Sequence, residues 1–100
     1  MKRRMRSSFS SKLWVYPGDK ASWRFVTVPK AESEMLRKKI KLKNGFGSIR
    51  VEVKVGKTVW GTSIFPDSRS GTYLLPIKAS VRRAEGLEDG EKVSVILRTN

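Results

Sequence analysis

Residues 73–98 read YLLPIKASVRRAEGLEDGEKVSVILR, and they carry the clearest structural pattern in the chain. A short apolar strand ends at Pro76, a helix follows, Gly86 stops the helix, and Asp89-Gly90 turns the chain into a final alternating strand. A looser copy occupies residues 23–39, where an alternating strand also passes through a proline into a helix-like segment. Two strand–proline–helix units in 100 residues predict a small, internally duplicated β-barrel.

Period-two alternation is clearest at residues 49–55, where Ile and Val alternate with Arg, Glu and Lys. The same pattern, bounded by turn residues, predicts strands at 9–16, 23–28, 58–65, 72–75 and 91–98. Helices are predicted at 31–39 and 77–84, and residues 41–48 read as a loop. The fold class is therefore mainly β: a closed or nearly closed barrel of six or seven short strands with two short helices. Closure is favoured because it leaves no exposed strand edges.

The chain divides into two parts by composition. Residues 1–8 are basic and serine-rich without apolar periodicity, which predicts a disordered N-terminal tail. Residues 9–100 then form a single β-barrel domain, a size that can bury a modest core. No apolar stretch reaches membrane-spanning length, and no apolar segment follows the basic N-terminus, so we expect a cytoplasmic protein without a membrane partner.

Cysteine and histidine are both missing from the sequence. The first absence excludes disulfides, a thiolate nucleophile and thiolate metal sites. The second removes the commonest general base and the commonest metal ligand. A serine nucleophile would need a lysine base, and the central serines lack the Ser-x-x-Lys spacing. We therefore expect no catalysis, no metal and no cofactor.

The charge is strongly basic and unevenly distributed. The formal net charge is +13, from 22 Lys and Arg against nine Asp and Glu. Residues 1–12 carry basic side chains and no acid, and residues 37–57 carry a single acid, Glu52. Such segregation favours a directed electrostatic field and a nucleic-acid partner, without distinguishing DNA from RNA.

The predicted nucleic-acid surface joins the end of the first helix to one face of the strand at 49–55. Arg50 and Lys54 project from the same side of that strand, and a basic run precedes them. The alternative is a charged outer face that protects a strand edge from aggregation. The candidate residues are Arg37, Lys38, Lys39, Lys41, Lys43, Arg50 and Lys54.

A second candidate site lies between residues 60 and 82. Lys78 and Arg82, four residues apart on the second helix, could bind an anion or form a solvated face. A ligand pocket there would be lined by Trp60, Ser63, Tyr73, Lys78 and Arg82. Trp60, Phe65 and Tyr73 are otherwise expected to pack in the core and at the barrel end. Trp14 and Tyr16 share one strand face and are expected to pack in the core on a second barrel face; the alternative is an exposed aromatic pair that stacks bases.

An ordered series of motifs resembles a known family. The motifs are Leu13-Trp14 with Pro17, Trp23-x-Phe25-x-x-Val28-Pro29, Gly45-Phe46-Gly47-Ser48-Ile49-x-Val51, Trp60-x-Thr62-Ser63-x-Phe65-Pro66 and Gly71-x-Tyr73-x-Leu75-Pro76-x-Lys78-x-x-Val81-Arg82. Together they are similar to the domain of unknown function family nineteen-zero-five. The resemblance runs from about Phe9 to Arg98 and implies a double-split β-barrel, related in fold to swapped-hairpin transcription factors and antitoxins. It implies no activity.

The sequence as a whole predicts a non-catalytic small basic β-barrel that binds nucleic acid through phosphate contacts with little sequence preference. The alternative is a small-ligand or protein-interaction module centred on residues 60–82. A homodimer and a protein partner are both compatible with either function.

Overall fold

The computed structural model describes residues 5–18, 23–44 and 47–99, and for residues 39–44 it describes the backbone only. Within these ranges the chain forms six strands and two helices. In chain order they are β1 Arg6–Val15, β2 Arg24–Thr27, α1 Lys30–Asn44, β3 Ile49–Val55, β4 Thr58–Asp67, β5 Thr72–Pro76, α2 Ala79–Glu85 and β6 Lys92–Thr99.

The strands close into one barrel in the order β1-β2-β5-β4-β3-β6, and every neighbouring pair is antiparallel. Closure gives each strand a partner on both sides, so backbone groups that would template aggregation are paired instead. The predicted mainly β barrel with two helices is confirmed.

The barrel consists of two copies of one motif. β1-β2-α1-β3 is followed by β4-β5-α2-β6, and the hairpin at Gly56–Lys57 joins them. In the barrel order, a pseudo-two-fold axis exchanges β2 with β5, β1 with β4 and β3 with β6. Two hydrogen bonds obey the same symmetry: the N–H of Val28 donates to Tyr73 O at 2.9 Å, and the N–H of Ile77 donates to Arg24 O at 3.0 Å. The predicted duplication is therefore present in topology and in backbone pairing.

The symmetry corrects how the two copies align. The two prolines, Pro29 and Pro76, do not occupy equivalent places, although the sequence suggests that they do. Val28 corresponds to Ile77, and each helix begins two residues later, at Lys30 and at Ala79. Pro76 instead pairs with Phe25 inside the sheet. Both prolines lie at or near the end of a strand, but the alignment of the two copies is set by the backbone hydrogen bonds between β2 and β5.

The core follows from alternation. Ile49, Val51, Val53 and Val55 are buried, and the residues between them are exposed, as the sequence predicts. Val93, Val95 and Leu97 of β6 bury the same way. Full burial of an aliphatic side chain contributes about 1.5–3 kcal/mol, so these strands account for much of the driving force for folding.

Several element ends differ from the predicted ones. Residues 6–8, predicted to be disordered, belong to β1, where Arg6, Ser7 and Ser8 pair with Arg98, Leu97 and Ile96. Small polar residues give no alternating signal, and pairing with β6 overrides their weak propensity. Residues 1–4 of the predicted tail lie outside the described residues.

The first helix also extends further than predicted, through Asn44 into the segment read as a loop. The added residues are mostly Lys, Ile and Leu, which tolerate helix well. The second helix begins at Ala79, two residues later than predicted. It is stopped by Gly86 as predicted: Gly86 adopts the left-handed conformation, with φ 61° and ψ 37°, directly after Glu85.

Candidate functional site

The outer side of β1, β6 and β3 carries a group of exposed basic side chains. Each strand alternates, so the residues between the buried apolar ones all point away from the core. We call this group the basic face: Arg6, Lys12, Arg50, Lys54, Lys92 and Arg98.

Residues of like charge lie directly opposite each other on this face. Arg6 pairs in register with Arg98, and Lys12 pairs with Lys92. Between these two pairs, the hydroxyls of Ser10 and Ser94 lie 3.1 Å apart. Like charges at directly opposed positions destabilise a sheet. The barrel therefore tolerates two unfavourable pairs at one surface.

One acid lies among these cations on β3. Glu52 is in register with Arg98, and their charged groups approach to 3.7 Å, with both side chains 57% exposed. An ion pair this exposed contributes little to stability. Arg6, Lys54 and Arg98 surround Glu52 in a shallow cavity of about 260 Å³. The basic face is thus neutralised only in part.

The predicted nucleic-acid residues separate in the structure. Arg50 and Lys54 lie on the basic face, and Lys38 is exposed on α1. Arg37 is half-buried: its Nη2 donates to Gly71 O at 2.6 Å, and its guanidinium lies 5.9 Å from the centre of the Tyr73 ring. Its contacts tie α1 to the start of β5. The side chains of the remaining candidates, Lys39, Lys41 and Lys43, lie outside the described residues.

Four members of the basic face are absent from the residues predicted to bind nucleic acid: Arg6, Lys12, Lys92 and Arg98. Lys92 and Arg98 stand at the two ends of β6, six residues apart and therefore on one side of the strand. Alternation alone would have placed them outside the barrel. Their position beside β1 depends on strand order, which the local pattern does not carry.

A cleft opens where α2 packs near β4 at the barrel end. We call it the Trp23–Trp60 cleft, after the two indoles in its wall. Its volume is about 320 Å³, and Gly61, Lys78 and Arg82 also line it. Trp60 is half-buried and packs against the core, while Trp23 is 49% exposed. A cavity of this volume matches a small ligand.

The predicted pocket residues divide between this cleft and the rest of the barrel. Trp60, Lys78 and Arg82 line the cleft. Tyr73 is only 1% exposed and belongs to the core. Its predicted place in the pocket lining is therefore wrong, and its expected core position is confirmed. Ser63 does not line the cleft, and in register it stands opposite Arg50. Alternation along β4 and β5 sends these two side chains in other directions.

Four aromatic rings cluster outside the barrel, on β1 and β2 and on the residues next to the strand ends. Trp14, Tyr16, Phe25 and Trp23 have ring centres 5.6–6.0 Å apart. The expected core position of Trp14 and Tyr16 is therefore wrong, and Phe65, at 44% exposure, is also outside. Both faces of residues 13–16 are apolar, and Leu13 took the interior position. The Trp23 ring stacks on Phe25 at 6.0 Å with a 10° interplanar angle.

The cations around the cleft are held in different ways. Arg24 pairs with Asp89, with Nε 2.9 Å from one carboxylate oxygen, so its charge is matched within the protein. Arg82 Nε donates to Ile77 O at 3.1 Å, which orients the guanidinium. Lys78 is exposed. No acidic residue is among those described as lining the cleft, so its walls carry positive charge.

The cleft and the basic face meet at β4. Gly61 lines the cleft, and Arg50 Nη2 lies 3.5 Å from the position that a Cβ on Gly61 would occupy. The Arg50 guanidinium therefore lies next to the backbone of Gly61, beside the cleft. One anionic ligand could therefore contact both surfaces.

Metal or membrane features do not appear in the described part of the chain. It holds no group of three or more acidic, Cys or His residues that could bind a metal ion. None of its described helices is both long and apolar enough to cross a bilayer.

Comparison with known proteins gives a family and no activity. The curated proteins contain no match to this chain. The family model described as Domain of unknown function (DUF1905) matches residues 9–97. This match covers most of the barrel, and the motifs of the resemblance lie within it. The chain therefore belongs to the DUF1905 family.

Proposed function

We propose that this protein binds nucleic acid through phosphate contacts made by the basic face, without catalysis and with little sequence preference, in the cytoplasm. The observation that carries the proposal is the pairing of like charges on β1 and β6, Arg6 with Arg98 and Lys12 with Lys92. Such pairs cost stability in the free protein. A phosphate between two cations would offset that cost.

The dimensions of the face suit a phosphate backbone. Arg6 and Lys12 are six residues apart on one strand, which corresponds to about 20 Å at 3.4 Å per residue. β3 adds Arg50 and Lys54 two strands away from β1. Contacts between Lys or Arg and phosphate fix the position of a nucleic acid but carry no sequence information. Weak sequence preference and strong salt dependence are therefore expected.

A salt titration tests the proposal. Binding of labelled DNA and RNA of mixed sequence is measured by fluorescence anisotropy over a range of salt concentrations. The Arg50→Ser/Lys54→Ser protein should bind every sequence more weakly, and the salt slope should fall by about one unit for each lost contact. A charge-matched control, Lys30→Ser/Arg69→Ser, removes two exposed cations outside the basic face and should retain most of the affinity.

Two results would contradict the proposal. One is no binding of DNA or RNA at low salt. The other is an equal loss of affinity in the control and in the Arg50→Ser/Lys54→Ser protein, because net charge alone would then explain the binding.

The second candidate function is a small-ligand or protein-interaction module, supported by the Trp23–Trp60 cleft. Its binding would depend mainly on apolar contact with Trp60 and would fall less steeply with salt than phosphate binding, because apolar contact is not screened. The same titration separates the two functions.

A further inference from the structure

The Trp23–Trp60 cleft has walls of two kinds. Trp23 and Trp60 supply aromatic surface, and Lys78 and Arg82 supply positive charge. Aromatic rings attract flat π-systems, and cations attract anions. A ligand that satisfies both walls has a flat ring and a negative group attached to it.

Trp23 combines an exposed surface with packing against a neighbouring ring, as a stacking site for a ligand ring requires. It is stacked nearly parallel on Phe25, and Phe25 is itself buried among the rings of Trp14 and Tyr16. Trp14 is fixed in turn, because its Nε1 donates to the Thr27 hydroxyl at 3.0 Å. The indole of Trp23 therefore packs against Phe25 although half of the residue is accessible. A packed aromatic surface costs little entropy on binding.

Trp60 and Arg82, which also line the cleft, are held by contacts with the rest of the protein. Trp60 packs against the core, and the Arg82 guanidinium is oriented by the Ile77 carbonyl. Lys78 is the N-cap residue of α2 and Arg82 lies in the helix, and both residues line the cleft. The described lining of the cleft contains no acidic residue, and the Asp89 carboxylate is paired with Arg24.

We propose that the cleft holds an unpaired nucleobase together with its phosphate, with the base stacked on Trp23 and the phosphate bound by Lys78 and Arg82. This inference rests on the proposed function, because the rest of the strand then follows the basic face past Arg50, which lies beside Gly61 at the cleft. A base inside a duplex is already stacked and paired, so it is not available. The protein should therefore prefer single strands to duplexes.

The test uses tryptophan fluorescence and anisotropy on the full chain. A single-stranded oligonucleotide, the duplex of the same sequence, and a nucleoside monophosphate are titrated separately. The oligonucleotide should quench tryptophan emission and bind more tightly than the duplex. Trp23→Ala should weaken single-strand binding about tenfold and leave duplex binding unchanged. Lys78→Ser should weaken binding of the monophosphate and of the single strand.

Phe65→Ala is the matched control, since Phe65 is an exposed aromatic on β4 that does not line the cleft. It should bind as the unmodified protein does. Circular dichroism of each variant checks that the barrel remains folded. Trp23→Phe provides a second variant that keeps a stacking ring, and it should restore most of the lost affinity.

The outcomes separate this inference from the proposed function. If Arg50→Ser/Lys54→Ser weakens all binding while Trp23→Ala matches Phe65→Ala, the cleft is overturned and the basic face stands. If the monophosphate binds through Trp23 and Lys78 but Arg50→Ser/Lys54→Ser does not weaken polynucleotide binding, the cleft is a nucleotide site and the proposed function is contradicted. Cleft-dependent binding of an acidic peptide carrying one tyrosine, with none of the nucleotide probes bound, would overturn both.

Discussion

The carboxylate of Glu85, at the end of α2, accepts a 2.6 Å hydrogen bond from the hydroxyl of Thr58, the first residue of β4. It also accepts the backbone N–H of Lys57 at 3.2 Å. Gly56–Lys57 is the turn at which the first repeat passes into the second. A single side chain from the second helix therefore holds the junction of the two repeats, and its protonation should affect the stability of the barrel.

We expect stability to fall at acid pH through Glu85. The hydrogen bond from Thr58 is the largest influence and, against an opposing effect of desolvation, holds the pKa of Glu85 below its ordinary value of 4.5. Because the unfolded state then binds the proton more readily, this contribution is present above pH 4.5 and is lost as the pH falls through the folded-state pKa. Urea unfolding of the unmodified protein and of Glu85→Gln can be measured against pH. The difference between their free energies of unfolding should shrink as the pH falls through the folded-state pKa of Glu85. Thr58→Val should raise the pKa of Glu85 in an NMR titration, and an unchanged titration would contradict this account.

Replacing Gly56 by alanine should destabilise the barrel for two reasons. Its φ of +59° is a left-handed conformation, which costs a non-glycine residue about 1–2 kcal/mol. In addition, an alanine Cβ would collide with the Glu85 carboxylate, which would have to move out of its present geometry with the Thr58 hydroxyl. Gly86→Ala is the matched control, because its φ is +61° and nothing lies within 4 Å of the added carbon. Chemical denaturation should show the larger loss for Gly56→Ala, and Glu85→Ala should remove the excess.

Ser33 should be more important to stability than a helix serine usually is. It is fully buried on α1, its hydroxyl donates to Val28 O at 3.0 Å, and it accepts the N–H of Tyr73 at 3.0 Å. Ser33→Ala leaves that buried N–H without its partner, at a cost of about 1–3 kcal/mol. Ser80→Ala, exposed on α2, should cost little. Equal unfolding midpoints for the two variants would refute the role given to Ser33.

Lys92→Glu should separate stability from binding. It converts the like-charged pair with Lys12 into an opposite pair, which should raise the free energy of unfolding by about 0.2–1 kcal/mol. The same substitution places a negative charge on the basic face, so affinity for DNA and RNA should fall. Thermal unfolding and anisotropy, run on one preparation, measure both effects. A variant that is more stable and binds nucleic acid as tightly as before would argue against the basic face.

The local pattern was sufficient where one face of a strand is apolar and the other polar. Residues 49–55 and 92–99 alternate cleanly, and their valines are buried as predicted. Gly86 ended α2 because glycine tolerates the left-handed conformation. Where both faces are apolar, as at residues 13–16, alternation cannot choose, and the aromatic side chains went outside.

The barrel class, the duplication, the buried valines and the excess of positive charge could all be predicted from the sequence, because they depend on residue type and short-range periodicity. Three relationships appear only in the folded chain: Lys12 faces Lys92, Glu85 holds the junction of the repeats, and Trp23, Trp60 and Lys78 line one cleft. Those relationships join residues far apart in the chain. They are set by strand order and register, which emerge only when all six strands compete for partners in one closed barrel.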